Sequence, residues 1–296
     1  MTRRRERARP EHRTLAIALV ASLLVWNLPY GNVALYPFKL LATWLHELSH
    51  GIAMTITGAG FDYVLIYRDT SGLAYAHSKV GPFGTGIIAA AGYMGTPLWG
   101  AVLLVATPTA KAAQRALVVL GVLCVASAFL VIAARPDDAF GPWAVGVMGG
   151  VFVVLAFLPG SWRLWAAHLI AAQSCINALL DIRVLLRPMQ VVDGQFSGQS
   201  DAHNMAAVTF GTTDTWAVQV WAGIWIAWSL LVLFLALRFT SSAGRFSEWL
   251  ASKRAARSAR TTASPRDESD RGERRRSPAR APDETGPSAP ADTAEP

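Results

Sequence analysis

Long apolar runs are the feature of this sequence that most constrains its fold. Between Leu15 and Arg238 there are only ten Lys/Arg and nine Asp/Glu, whereas the shorter stretch 251–296 holds ten and eight. Over the whole chain 16% of residues are charged, against about a quarter in soluble domains. An apolar run of about 20 residues can cross a hydrocarbon core of roughly 30 Å. The pattern predicts an integral membrane protein and excludes a soluble enzyme.

Seven apolar runs, punctuated by Pro and Gly, are candidates for membrane helices: 15–28, 33–57, 84–107, 112–134, 139–158, 162–186 and 215–239. The first follows a basic stretch, and no small-residue cleavage site comes after it, so we expect an uncleaved signal anchor. Basic residues before the first run and after the last place both termini in the cytoplasm, which requires an even number of crossings. We therefore predict an all-α polytopic membrane protein, a bundle of six to eight transmembrane helices.

Two polar stretches interrupt the apolar body. In 61–78, aromatic and β-branched residues flank a turn-forming cluster, which predicts a β-hairpin at the membrane interface or against protein, because an open sheet cannot face lipid. The stretch 187–214 predicts a loop with a short helix near 201–208. The expected organisation has a basic cytoplasmic N-terminus at 1–14, a membrane-embedded domain at 15–240 and a disordered charged tail at 241–296, whose composition cannot form a core.

The second apolar run carries a chemical motif. His46, Glu47 and His50 form His-Glu-x-x-His, and on a helix two histidines four residues apart lie on one face, where both can bind a single metal ion. In this motif the acid beside the first histidine acts as general base. Three ionisable groups within five residues of an apolar helix are costly in a membrane, about 2.5–3.5 kcal/mol each at the helix centre, and a bound metal compensates them. We predict zinc at His46 and His50, with Glu47 as the catalytic acid–base group.

At this point the chain resembles a known group of proteins. The residues 46–51, His-Glu-Leu-Ser-His-Gly, resemble the site-2 protease family of intramembrane zinc metallopeptidases, and more narrowly its M50B-like bacterial branch. The order of the parts is also similar: the motif helix, Thr57-Gly58-Ala59-Gly60 with the hairpin, then a Gly-rich helix that begins at Ala89. The resemblance implies zinc, hydrolysis of a peptide bond in a membrane-associated substrate, and an Asp on a later helix as third ligand.

Two aspartates are candidates for the third ligand, because the family's Leu-Asp-Gly pattern is absent. Asp181 lies in an apolar run and shares a polar stripe with Ser174 and Asn177, as expected for a buried ligand with hydrogen-bonding neighbours. Asp201 stands in Ser-Asp-Ala, which resembles a late element of M50B-like chains. We take Asp181 as first choice and Asp201 as second.

Three functions remain open from the sequence. The first is a zinc endopeptidase whose partners are the lipid bilayer and a membrane protein or peptide; the others are a metal-binding transporter and a non-catalytic scaffold with the family fold. The net charge of +7 is concentrated beside the outermost apolar runs, which favours anionic headgroups over nucleic acid. Cys124 and Cys175 stand in apolar runs and predict no disulfide framework. Ala- and Arg-rich usage favours a bacterial plasma membrane.

Overall fold

The computed structural model describes residues 17, 20, 21, 24–185, 190–193, 195–197 and 200–263. In these residues the helices are α1 Gly31–Ala34, α2 Tyr36–Ile56, α3 Pro82–Ala106, α4 Ala110–Leu130, α5 Phe140–Ala156, α6 Gly160–Leu185, α7 Asp201–Phe210 and α8 Thr215–Ala263. The strands are β1 Phe61–Ile66, β2 Gly72–Ala76, β3 Gln190–Val192 and β4 Gln195–Ser197. The strands form two antiparallel hairpins, β1–β2 and β3–β4.

The predicted fold class is confirmed. Six of the seven apolar runs become α2 to α6 and α8, and the predicted hairpin becomes β1–β2. Three helical stretches of the described chain, Pro82–Ala106, Ala110–Leu130 and Thr215–Thr240, are long and apolar enough to span a membrane, and Phe140–Ala156 is a shorter apolar helix. The six to eight crossings stay a prediction, since six of the fourteen residues of the proposed anchor at 15–28 lie outside the described residues.

Helices α4 and α5 are in backbone contact. A Cβ placed on Gly121 would lie 2.7 Å from the Gly149 carbonyl oxygen, and a Cβ on Gly149 would lie 2.6 Å from the Gly121 carbonyl oxygen. Without a hydrophobic drive between helices in lipid, small residues at a crossing supply close van der Waals packing. Around this crossing, Leu117, Cys124 and Val145 are fully buried.

The β1–β2 hairpin folds back along α2, so its polar groups are satisfied by protein. Tyr36 donates a hydrogen bond from its hydroxyl to the Arg68 carbonyl oxygen at 2.8 Å, and the Thr43 hydroxyl bonds the Thr70 carbonyl oxygen. Arg68 donates two hydrogen bonds of 2.9 Å to the Asp138 carboxylate, which lower the pKa of that carboxyl below its ordinary value. The hairpin is therefore fastened both to α2 and to the segment between α4 and α5.

The chain divides into two compact units, Met1–Gly244 and Arg245–Pro296. In the second unit the described residues, up to Ala263, are helical as part of α8. Composition predicted disorder from 241 onward, but the good helix formers Ala, Leu, Lys and Arg dominate 250–260. Residues 264–296 lie outside the described residues, and disorder there stays a prediction.

Neighbouring glycines on α5 give a matched test of the helix crossing. We expect Gly149→Ala to lower the free energy of unfolding by about 1–3 kcal/mol, because its Cβ overlaps the α4 backbone. Gly150→Ala has no atom within 4 Å of its Cβ and should be neutral or stabilise by about 0.5–1 kcal/mol through better helix propensity. Denaturant unfolding in detergent measures both; equal effects would contradict the crossing.

Candidate metal centre

Helix α2 presents both motif histidines on one side, as the four-residue spacing requires. The ring centroids of His46 and His50 are 4.7 Å apart in an edge-to-face arrangement. Both rings line a cavity of about 460 Å³ that also contains Glu47. His50 and Glu47 are each only 6% exposed, so the motif is inside the protein and not on the lipid-facing side of the helix.

Asp201 brings a carboxylate to the two imidazoles. Its Oδ2 atom lies 3.0 Å from His46 Nε2 and 3.2 Å from His50 Nε2. Asp201 is the first residue of α7, where the preceding Ser200 and following His203 form a capping box with 2.8 Å between Ser200 Oγ and His203 Nδ1. That cap starts the helix at Asp201 and so positions the carboxylate.

The Ile88 carbonyl group orients one histidine. His50 Nδ1 is 2.7 Å from the Ile88 oxygen, and a carbonyl oxygen can only accept a hydrogen bond, so Nδ1 carries the proton. In the neutral imidazole the lone pair is then on Nε2, which is the atom that faces Asp201. A lone pair opposite a carboxylate oxygen needs a cation between them, either a further proton on the ring or a metal ion.

The donor set fits zinc. His46, His50 and Asp201 each offer one ligand atom, and the three atoms lie within 4.8 Å of one another. These three described residues could therefore hold one metal ion. In a tetrahedral zinc site with zinc–nitrogen and zinc–oxygen distances of about 2.0–2.2 Å, two ligand atoms are roughly 3.3–3.6 Å apart. The observed 3.0 and 3.2 Å need only a small outward shift. Three protein ligands also leave the open position that catalytic zinc requires.

Helix α3 closes one side of the centre. A Cβ on Gly92 would lie 2.3 Å from His46 Nε2 and 2.5 Å from His50 Nε2, so only glycine leaves room for the imidazoles. The next residue, Tyr93, meets the His46 ring edge-on at 4.7 Å between centroids and stacks on Trp225 of α8 at 4.8 Å. The small residues of α3 predicted that this helix packs closely against a neighbour. The sequence did not identify which of them faces the histidines.

Of the two aspartates considered for the third ligand, the structure brings the second choice, Asp201, to the two histidines. Asp201 contacts both imidazoles, whereas Asp181, the first choice from sequence, is not in the group. Asp181 is on α6, in the electrostatic neighbourhood of His46 and Lys39. The polar stripe correctly indicated an inward-facing side, since Ser174 and Asn177 are buried. The helical periodicity of this run could not show that Asp201, at the start of α7, lies beside the histidines.

Strand β2 forms the wall of the cavity beside Glu47. In β1 the Val64 N–H donates a hydrogen bond to the Val131 carbonyl oxygen, and the Val64 carbonyl oxygen accepts one from the Ala133 N–H. Both backbone groups of Val64 therefore point away from β2. Its partner Ala74 is consequently in a non-hydrogen-bonded pair and directs its backbone groups to the other edge. At that edge β2 packs against Glu47, since a Cβ on Gly72 would lie 2.7 Å from Glu47 Cγ.

The helical bundle brings a His-Glu-x-x-His motif and a carboxylate from a later helix to one cavity, the residue types that a membrane metallopeptidase site requires. The chain belongs to the Peptidase M50B-like family, whose model matches residues 15–236. No curated protein and no solved structure matches the chain.

Two glycines of α3 test the geometry of this centre. We expect Gly92→Ala to abolish metal binding, because its Cβ would displace both Nε2 atoms. Gly86→Ala on the same helix should leave it unchanged, since its nearest neighbours are at ordinary distances of 3.5 and 3.6 Å. Elemental analysis of the purified, metal-loaded proteins provides the measurement. Full metal content in Gly92→Ala would refute the close approach of α3.

Proposed function

We propose that this chain is an intramembrane zinc metallopeptidase that hydrolyses a peptide bond of a membrane-associated substrate. The observation that carries the proposal is that His46, His50 and Asp201 converge in the same cavity as Glu47. Membership of the M50B-like family supports it. The Ala- and Arg-rich composition supports a multi-pass location in a bacterial plasma membrane.

In this proposal His46 Nε2, His50 Nε2 and an Asp201 oxygen hold the zinc. When bound, zinc supplies Lewis-acid polarisation of the scissile carbonyl and makes water acidic enough to be deprotonated near neutral pH. The hydrogen bond from His50 Nδ1 to Ile88 keeps the ring in the tautomer that a metal needs. The capping box of α7 keeps Asp201 in reach.

Glu47 transfers the protons of the reaction. Its carboxylate takes a proton from the attacking water and then delivers one to the nitrogen of the leaving amine. Among the described residues it is the only carboxylate besides Asp201 that lines the cavity. The close approach of Gly72, where a Cβ would lie 2.7 Å from Glu47 Cγ, packs β2 against this side chain.

The exposed edge of β2 supports an extended substrate. In the described part of the chain β2 pairs only with β1, and Gly72, Ala74 and Ala76 line the cavity that contains the motif. A transmembrane helix has no free backbone groups, so a substrate must unwind before its peptide bond is accessible. The unwound segment would gain backbone hydrogen bonds by adding to β2 as a strand, with its peptide bond beside Glu47.

The choice of third ligand is tested by a pair of isosteric variants. We expect Asp201→Asn to lose most of the bound zinc, because an amide oxygen is neutral and does not replace a carboxylate ligand. Asp181→Asn should bind about one zinc per chain, as wild type does. Metal analysis of both, beside His46→Ala as a zinc-free reference, gives the comparison. Zinc lost from Asp181→Asn and kept in Asp201→Asn would restore the assignment made from sequence.

Glu47→Gln separates hydrolysis from metal binding. The amide keeps the size of the side chain but cannot accept the proton, so we expect full zinc content and a rate reduced by about 10²–10⁴-fold. The measurement is a comparison of membrane proteomes for truncated proteins that appear with wild type and disappear with Glu47→Gln. Asp62→Asn, an acid of β1 outside the cavity lining, is the control and should match wild type.

The remaining outcomes of this experiment discriminate the other functions. Zinc retained with identical proteomes in wild type and Glu47→Gln would favour a metal-binding transporter or a scaffold. Zinc lost in Glu47→Gln would mean that Glu47 supports the metal and does not act only on protons.

A further inference from the structure

A second cavity lies on the side of α2 away from the motif. Its volume is about 350 Å³, within the range of ligand-binding pockets. Leu41 and Leu45 of α2 form its base, and α3, α4 and α6 supply the walls. Apart from Arg115, Ser174 and the indole nitrogen of Trp99 the lining is apolar. The Ser174 hydroxyl already donates a 2.9 Å hydrogen bond to the Ile170 carbonyl oxygen, and the Trp99 indole N–H donates one of 3.1 Å to Ser49 Oγ. Within the described lining, Arg115 is thus the one polar group that is available to an occupant.

The cavity is a groove that opens on the outer surface of the bundle. Val102, Val119 and Leu123 line it and are 58, 57 and 42% exposed. In a membrane-spanning bundle, apolar side chains exposed on the outside of α3 and α4 face lipid. The groove is therefore accessible from the hydrocarbon region of the membrane. Because its lining is mostly apolar, the acyl chain of a lipid is the occupant that fits it.

Two further basic side chains, Lys111 and Arg163, lie near Arg115 at the end of the groove where α4 and α6 begin. Lys111 and Arg115 are four residues apart on α4 and so lie on one face. Arg163 of α6 reaches α4 through a 3.1 Å hydrogen bond from Nη1 to Gln114 Oε1. The two helices start side by side, since a Cβ on Gly160 would lie 3.6 Å from Ala110 Cβ.

Acidic residues are absent from α4 and from the first 21 residues of α6, the parts of the chain that form this end of the groove. The sequence has no Asp or Glu in 82–136 or in 139–180, which include all of α3, α4 and α5 and most of α6. Within the described part of the chain, no carboxylate forms an ion pair with Lys111, Arg115 or Arg163. Three cations without acids leave positive charge for a ligand to neutralise.

We propose that this groove binds an anionic phospholipid, with an acyl chain between α2, α3, α4 and α6 and the phosphate at Lys111, Arg115 and Arg163. Arg115 is five residues into α4, about 7.5 Å from its start. Its aliphatic stem lines the groove while the guanidinium extends toward the headgroup level, as long cationic side chains do near helix ends. Charge selects the headgroup and the apolar lining holds the chain. The proposal does not depend on the peptidase function.

The test uses the full chain in detergent, stripped of lipid and titrated with phosphatidylglycerol or phosphatidylcholine of the same acyl chains. Native mass spectrometry counts bound lipid. We expect one tightly held phosphatidylglycerol and at least about fivefold weaker phosphatidylcholine, with Arg115→Gln lowering the affinity for phosphatidylglycerol about fivefold. Arg238→Gln, at an exposed position of α8 away from the groove lining, should change the affinity by less than about twofold.

A second pair of variants tests the acyl-chain site. Ala116→Phe fills the groove and should abolish the tight phosphatidylglycerol, whereas Val122→Phe, on an exposed part of α4 outside the lining, should retain it. If Ala116→Phe does not fold, the two arginine variants decide the matter. Glycerol phosphate, which has the charge but no chains, should not displace the lipid.

Three results would overturn the proposal. They are equal binding of the two lipids by wild type, equal weakening by Arg115→Gln and Arg238→Gln, and displacement of the lipid by glycerol phosphate.

Discussion

The close approach of α3 to α2 at Gly92 is the contact on which the centre depends. Two imidazoles and two carboxylates in an apolar bundle carry a desolvation cost that only mutual contacts or a cation can offset. Because Gly92 has no side chain, His46 and His50 lie directly against the α3 backbone, where Ile88 accepts the Nδ1 proton of His50. A larger residue at this position would separate the helices and leave the polar groups without partners.

The backbone groups of the β1–β2 hairpin also need polar partners in an apolar bundle. An open sheet edge cannot face hydrocarbon, and here the outer edge of β1 is covered by residues 131–133 while β2 faces a polar cavity. The edge that remains open is consequently the one beside Glu47. The same arrangement therefore satisfies the outer edge of β1 and leaves the edge of β2 for the proposed extended substrate. The hairpin is held in place by Arg68 with Asp138 and by the contacts to α2.

Charge is divided between separate parts of the membrane domain. The carboxylates Glu47, Asp181 and Asp201 are near the metal centre, whereas Lys111, Arg115 and Arg163 are where α4 and α6 begin, in helices without acids over most of their length. In a medium of low dielectric constant such a division suits the two ligands proposed above, a cation at the centre and an anionic headgroup at the groove. The proposed metal and lipid sites share α2, whose opposite sides line both cavities.

The sequence by itself determined the membrane class, most helices, the hairpin and the pairing of His46 with His50. These follow from local rules, since hydropathy defines spans and a helix brings residues four apart to one face. Only the tertiary structure shows that Asp201, and not Asp181, lies beside the two histidines, because this depends on how α7 packs against α2, which no periodicity encodes. It also decided which glycine of α3 meets the histidines and which strand edge faces Glu47. Those are contacts between residues distant in sequence, set by how helices pack.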